Sequence, residues 1–138
     1  MTCALAAALC EKLLNERAGV AEVRRVRRRC AGLIARDAEV FSCVIRAYYQ
    51  HDRPAIQRAL KTAIQVPLSV HAASQRLLQL AKRGRATIRP RYRVDLICAI
   101  ALAQASRQAA RALVMTNLAW LGDRAYSRRM IQRLQRLP

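Results

Sequence analysis

The sequence predicts an all-α protein, an up-and-down bundle of about five long helices. Three observations carry that expectation. Apolar residues recur every three or four positions, and no stretch keeps the period of two that a strand requires. The chain holds only four Gly and four Pro, too few for many turns. Its 54% hydrophobic content includes only 4% aromatics, so the core is aliphatic and built on Ala, which suits close helix packing better than sheets. At 138 residues it is expected to form one domain, 1–138, long enough to bury a core.

The first element is a short Ala-rich helix over 3–16, ending before Gly19. A second runs from about Val20 to Tyr49. Its stripe passes through Val23, Val26, Cys30, Leu33 or Ile34, Asp37, Phe41 and Val44 or Ile45. Asp37 on that stripe is an uncomfortable carboxylate, for which a buried ion pair with an Arg is the structural explanation. Asp52-Arg53-Pro54 restarts the chain, Asp52 as a cap and Pro54 where a missing N–H does no harm. The third helix carries Ile56, Leu60, Ala63 and Ile64, then meets Val66-Pro67, where it is expected to kink or break. Helicity resumes through Val70, Ala73, Leu77, Leu78 and Leu80 and stops at Gly84.

Residues 84–93, GRATIRPRYR, are the one clear internal loop. The stretch from Val94 to Asp123 then reads as a long helix with Ala at 99, 101, 103, 105, 109, 110 and 112. Small side chains on nearly every face admit close neighbours, so this helix is expected at the centre of the bundle. Its polar marks, Asp95 and Asn117, lie 22 positions apart, about 33 Å at helical rise. They cannot share a site within one copy, but facing antiparallel copies can bring them together. Gly122-Asp123 ends this helix, and a basic one, AYSRRMIQRLQRL, follows.

Charge is the odd feature. Twenty-six basic residues oppose eight acidic ones, a net +18, and all the basic ones but Lys12, Lys61 and Lys82 are Arg. Such a field concentrates polyanions. Five Cys, at 3, 10, 30, 43 and 98, form no C-x-x-C pair and have no His at metal-ligand spacing. They read as reduced core residues of a cytoplasmic protein without a metal site. His51 and His71 are isolated and read as structural or surface residues. The apolar run from Val94 is broken by Asp95 and ends at Arg107, too short to span a membrane. The opening MTCALAAALC has no basic stretch of the kind that starts a signal peptide.

The order of the pieces carries a resemblance. DAEVF (37–41) comes first, then RPAIQRALKTAIQVPLSV (53–70) and LAKRG (80–84), then VDLICAIALAQASRQAA (94–110) and VMTNLAWLGD (114–123). This set resembles the cyclodeaminase/cyclohydrolase family. The family includes the C-terminal domain of formiminotransferase-cyclodeaminase and bacterial methenyltetrahydrofolate cyclohydrolases. The shared features are D-A-x-x-F on one helix, a Val-Pro in an Ala-rich helix, and Asp-Leu and Asn-Leu bracketing a small-residue helix. Members usually carry a Gly-rich segment before the first helix, and this sequence is expected to begin after it. The family's Asn-Leu-Thr stretch has only a faint echo in LLNER (13–17).

The resemblance implies a tetrahydrofolate substrate and a homodimer. Either 5-formiminotetrahydrofolate closes to the 5,10-methenyl form with loss of ammonia, or the methenyl bridge is hydrolysed to 10-formyltetrahydrofolate. Neither reaction needs a metal or a redox cofactor. Both need proton transfer near the bridging carbon, for which a carboxylate in a helical cleft can serve. Asp95, at the family's Asp-Leu position, is the first candidate and Asp37 the second. Asn117 can pair with the amide edge of the pterin, or else fix helix register by an interhelical hydrogen bond. Lys61 and Gln65 are expected to face the Val-Pro kink and line the cleft. Arg89, Arg91 and Arg93 can bind the glutamate carboxylates of a folate, polyglutamates included.

A different class competes: an inactive basic module that binds nucleic acid or another polyanion. Its footprint would be Arg24/Arg25/Arg27/Arg28/Arg29, the 83–93 segment and Arg124/Arg128/Arg129/Arg133/Arg136. Tyr92 is the only aromatic in the basic loop, so base stacking is poorly supplied. A terminal helix lying on anionic membrane through Met130, Ile131, Leu134 and Leu137 is the third reading.

Overall fold

The computed structural model describes residues 1–13, 17–86 and 88–136. Among them are five helices: α1 (Thr2–Leu13), α2 (Arg17–Tyr49), α3 (Arg53–Gly84), α4 (Arg93–Leu121) and α5 (Arg124–Arg136). A 3-10 turn at Pro90–Tyr92 leads into α4, and no strand occurs among the described residues. The expected end of the first helix at residue 16, and Leu137, lie outside the described residues.

Four local devices reverse the chain at two turns. Between α2 and α3, His51 takes the left-handed conformation at φ 52, which His tolerates better than most side chains. Asp52 then caps α3, accepting from the Ala55 N–H at 3.0 Å with Pro54 in the first turn. After α4, Gly122 at φ 69 returns its N–H to the Leu118 carbonyl. Asp123 caps α5 by accepting from the Tyr126 N–H at 2.9 Å.

The break expected at Val66-Pro67 does not occur, because α3 runs unbroken from Arg53 to Gly84 with Pro67 inside it. Proline removes the donor that would bond the carbonyl four residues earlier, here Ala63. The Asn117 side chain of α4 supplies one, with Nδ2 at 3.4 Å from the Ala63 oxygen. The predicted interhelical hydrogen bond therefore exists, and it lies at the proline.

The central helix of the single chain is α3, not α4 as expected. α3 packs against both α2 and α4, and α5 bonds to it through Gln65 and Tyr126. α4 buries one stripe, from Leu96, Ala99 and Ala103 to Val114 and Leu118. Its opposite face is bare, with Val94, Ile97, Leu113 and Trp120 between 56% and 69% exposed. α2 differs from expectation in the same sense. Its buried stripe turns through Val40, Val44 and Ala47, while Phe41 stands 63% exposed.

The core has two ends. At one, Cys3, Ala6, Ala7 and Cys10 of α1 pack on Val23 and Cys30 of α2, Leu77 of α3, and Ala99 and Ala103 of α4. At the other, Val44, Leu60, Ile64, Val114, Leu118 and Leu134 join four helices. Side chains such as Leu77 and Ile64, wholly buried, each contribute about 1.5–3 kcal/mol. Ion pairs tie the outside of the first end, with Glu11 between Arg24 and Arg27 and Glu22 on Arg76.

Candidate functional site

Two cavities adjoin in the groove between α2, α3 and α4. The first, about 380 Å³, reaches inward to Cys3, Cys30 and Ser106. The second, about 700 Å³, is walled by Phe41, Tyr48, Thr116, Asn117 and Trp120. Asp37, Pro67 and Leu113 belong to both walls. A volume of 700 Å³ lies within the range of small-molecule sites, and its mainly apolar lining with few polar groups is their usual composition.

Asp37 is exposed on α2, and among the described residues it has no ion pair. The buried Arg partner expected for it is absent because the α2 stripe turns its side chain to the groove. Four other carboxylates are committed elsewhere. Glu11 and Glu22 pair with Arg, Asp52 caps α3, and Asp123 caps α5 while bonding Lys61 at 3.3 Å. The hydrogen bond from Arg24 holds the Glu11 carboxyl below its ordinary range, and that from Arg76 does the same for Glu22. The Tyr126 N–H, followed by Lys61, likewise lowers Asp123. Asp37 is left turned to the cavities.

Asp95 is half-buried in the first turn of α4, where the helix dipole favours a carboxylate. It lines neither cavity. Asn117 lies at the other end of the same helix, so one chain brings Asp37 and Asn117 to a common wall and keeps Asp95 apart from them. Arg89, Arg91 and Arg93 are exposed at the Asp95 end, with the Arg91 guanidinium 4.8 Å from the Tyr92 ring.

Lys61 and Gln65 do not line the groove as expected. A residue two places from Pro67 on a helix points about 200° away from it, and one six places away about 240°. Both side chains meet α5 instead. Lys61 sits 5.3 Å over the Tyr126 ring beside Asp123. Gln65 Nε2 bonds the Tyr126 hydroxyl at 2.8 Å, and its Oε1 accepts from Arg133 at 3.2 Å.

The sequence reading missed Trp120, Leu113 and Tyr48 as cavity walls. The signal was present, because Leu113 and Trp120 follow the spacing that leads from Asn117 around one side of α4. His71 is buried with its Nδ1 unpartnered among the described residues, and burial lowers its proton affinity. No group of three or more His, Cys, Asp or Glu able to hold a metal ion occurs among the described residues. No helix there is long and apolar enough to cross a membrane.

Fold and groove together define a helical-bundle protein whose polar groups are offered from a cleft between long helices. The chain belongs to the formiminotransferase-cyclodeaminase family, whose model matches residues 1–136, as the order of its sequence pieces led us to expect. Its fold is similar to that of the formiminotetrahydrofolate cyclodeaminase of Thermotoga maritima. The TM-score is 0.83 at 23% identity, covering 99% of this chain and 74% of that one. No curated protein sequence matches it.

Proposed function

We propose that this chain acts in folate one-carbon chemistry, as a formiminotetrahydrofolate cyclodeaminase or a methenyltetrahydrofolate cyclohydrolase. Membership of the family supports the reading, and the observation that carries it to a site is the meeting of Asp37 and Asn117 on one cavity wall. In this reading the pterin enters the larger cavity, its amide edge against Asn117 and one face against Trp120. A carboxylate relays the proton at the bridging carbon, to the departing ammonia in cyclisation or from the attacking water in hydrolysis.

The active form in this proposal is a homodimer. The bare faces of α2 and α4 give it an interface, with Phe41 63%, Leu113 56% and Trp120 62% exposed in the single chain. A two-fold pairing that sets α4 antiparallel to its copy brings Asp95 of one protomer toward Asn117 of its partner. The cleft then holds Asp37 from one chain and Asp95 from the other. Arg89, Arg91 and Arg93, beside Asp95, would meet the glutamate tail of the folate.

A second reading has its own observation. Arg25, Arg28 and Arg29 on α2, and Arg124, Arg128, Arg129, Arg133 and Arg136 on α5, are all exposed, a field suited to a polyanion. Calorimetry with 5-formyltetrahydrofolate, as mono- and polyglutamate at two salt concentrations, separates the two. Micromolar binding that strengthens with the tail supports the folate site. Absence of binding, with retention on RNA or DNA at moderate salt, overturns it in favour of the basic module.

A further inference from the structure

The deep end of the smaller cavity holds a chemical group that the folate reading does not use. Cys3 of α1 and Cys30 of α2 face one another across the helix contact, Sγ to Sγ at 3.1 Å, and both line the cavity. Ser74 of α3 donates to Cys3 Sγ at 3.3 Å and lies 3.1 Å from the Ser106 hydroxyl of α4. Four helices thus converge on one sulfur. We propose that Cys3 and Cys30 form a redox-modification site, a dithiol that peroxides convert to an intramolecular disulfide.

The geometry makes the two sulfurs unequal. Cys30 and Ser74 both donate toward Cys3, which stabilises a thiolate there and keeps the proton on Cys30. Hydrogen bonding holds the Cys3 thiol below its ordinary range, while the Cys30 thiol is raised by its bond to Cys3. The Cys3 thiolate attacks hydrogen peroxide, giving a sulfenic acid and hydroxide as the O–O bond breaks. The Cys30 sulfur then displaces the sulfenic oxygen, which leaves as water with the thiol proton. Each sulfur gives up one electron, and the peroxide takes both. Closing the pair from 3.1 Å to the bonded distance of about 2.05 Å needs a shift of about an ångström.

No other pair among the described cysteines offers this. Cys10 is buried and its thiol is pushed up to about 11 by desolvation and by the charge on Cys3. Cys43 and Cys98 are exposed, on α2 and α4. The bond would cross-link positions 27 residues apart and pin α1 to α2, stabilising the fold by restricting the unfolded chain.

The test is titration of the native protein with hydrogen peroxide, read by intact mass and non-reducing peptide mapping. The expected product has lost two hydrogens and carries a Cys3–Cys30 link, with a midpoint temperature raised by on the order of 10 °C. In Cys30→Ser the intermediate is trapped, so a dimedone probe labels Cys3; in Cys3→Ser the probe leaves Cys30 unlabelled. Free thiols at Cys3 and Cys30 after Cys43 and Cys98 have reacted would overturn the proposal, as would a link between any other pair. Because the wild-type mapping needs no variant and no folate, its outcome stands apart from the proposed function.

Discussion

Asn117 stands in for the backbone donor that Pro67 lacks. Its amide reaches the Ala63 carbonyl, the acceptor orphaned by the proline, from the neighbouring helix. The relationship makes a double-mutant cycle decisive. Asn117→Ala alone should destabilise by about 1 kcal/mol, since a half-buried carbonyl loses its partner. In a Pro67→Ala background α3 supplies its own N–H, and the same substitution should be close to neutral. Chemical denaturation measures both. Equal costs in the two backgrounds would dissolve the link between the residues. Any loss of folate turnover that persists in the double variant would be due to contact with substrate, not to the helix.

Asp37→Asn should leave stability within about 0.5 kcal/mol, because the carboxylate is exposed and has no ion pair among the described residues. If it moves the proton, turnover should fall by about 10² to 10⁴. Asp95→Asn should abolish turnover with the fold intact. If the cleft joins both residues across a dimer, mixing the two inactive variants should restore about a quarter of the wild-type sites, since random exchange gives half heterodimers with one intact site each. No recovery in exchanged samples would exclude one of the two groups from the site.

Phe41→Glu and Trp120→Glu address the interface. Each side chain is exposed in the single chain, 63% and 62%, so the protomer fold should survive. Sedimentation should show the wild-type dimer dissociating to monomer in either variant. A wild-type protein that sediments as a monomer at high concentration would remove the composite site.

Acid should loosen α1 before the rest. The Glu11 carboxyl, bonded first to Arg24 and then to Arg27, lies below its ordinary 4.5 in the folded chain. A depressed carboxyl stabilises above its unfolded value and loses that contribution as pH falls through the folded one. The midpoint temperature should therefore be flat near neutrality and decline below about pH 5. Glu11→Gln should flatten the acidic limb, and added salt should weaken the effect. An unchanged acid limb in Glu11→Gln would assign the decline to Glu22 and Asp123.

The helices and their punctuation were legible because caps are local. Asp52, Pro54 and Gly122 do in the structure what their spacing implies, while Asp123, read only as part of the stop, also caps the next helix. The family was legible because five short pieces stood in order. The packing partner of each face was not. α2 and α4 carry apolar residues on more than one side, and periodicity cannot say which side a helix of the same chain will cover. Hence Val40 is buried where Phe41 was expected, and α4 keeps an open face. Lys61 and Gln65 failed for a simpler reason: nearness in sequence to Pro67 was read as nearness on the helix surface, and the α-helical turn separates the two.

Trp120 is the only tryptophan in the chain, and it stands 62% exposed on the wall of the larger cavity. Its indole is thus a built-in optical probe, undiluted by any second emitter of its kind. Emission from the unliganded protomer should resemble that of indole in water. A blue shift on concentration would register a neighbouring chain, and quenching on adding a pterin would register a ring stacked against it. One unlabelled sample can then separate assembly from ligand capture.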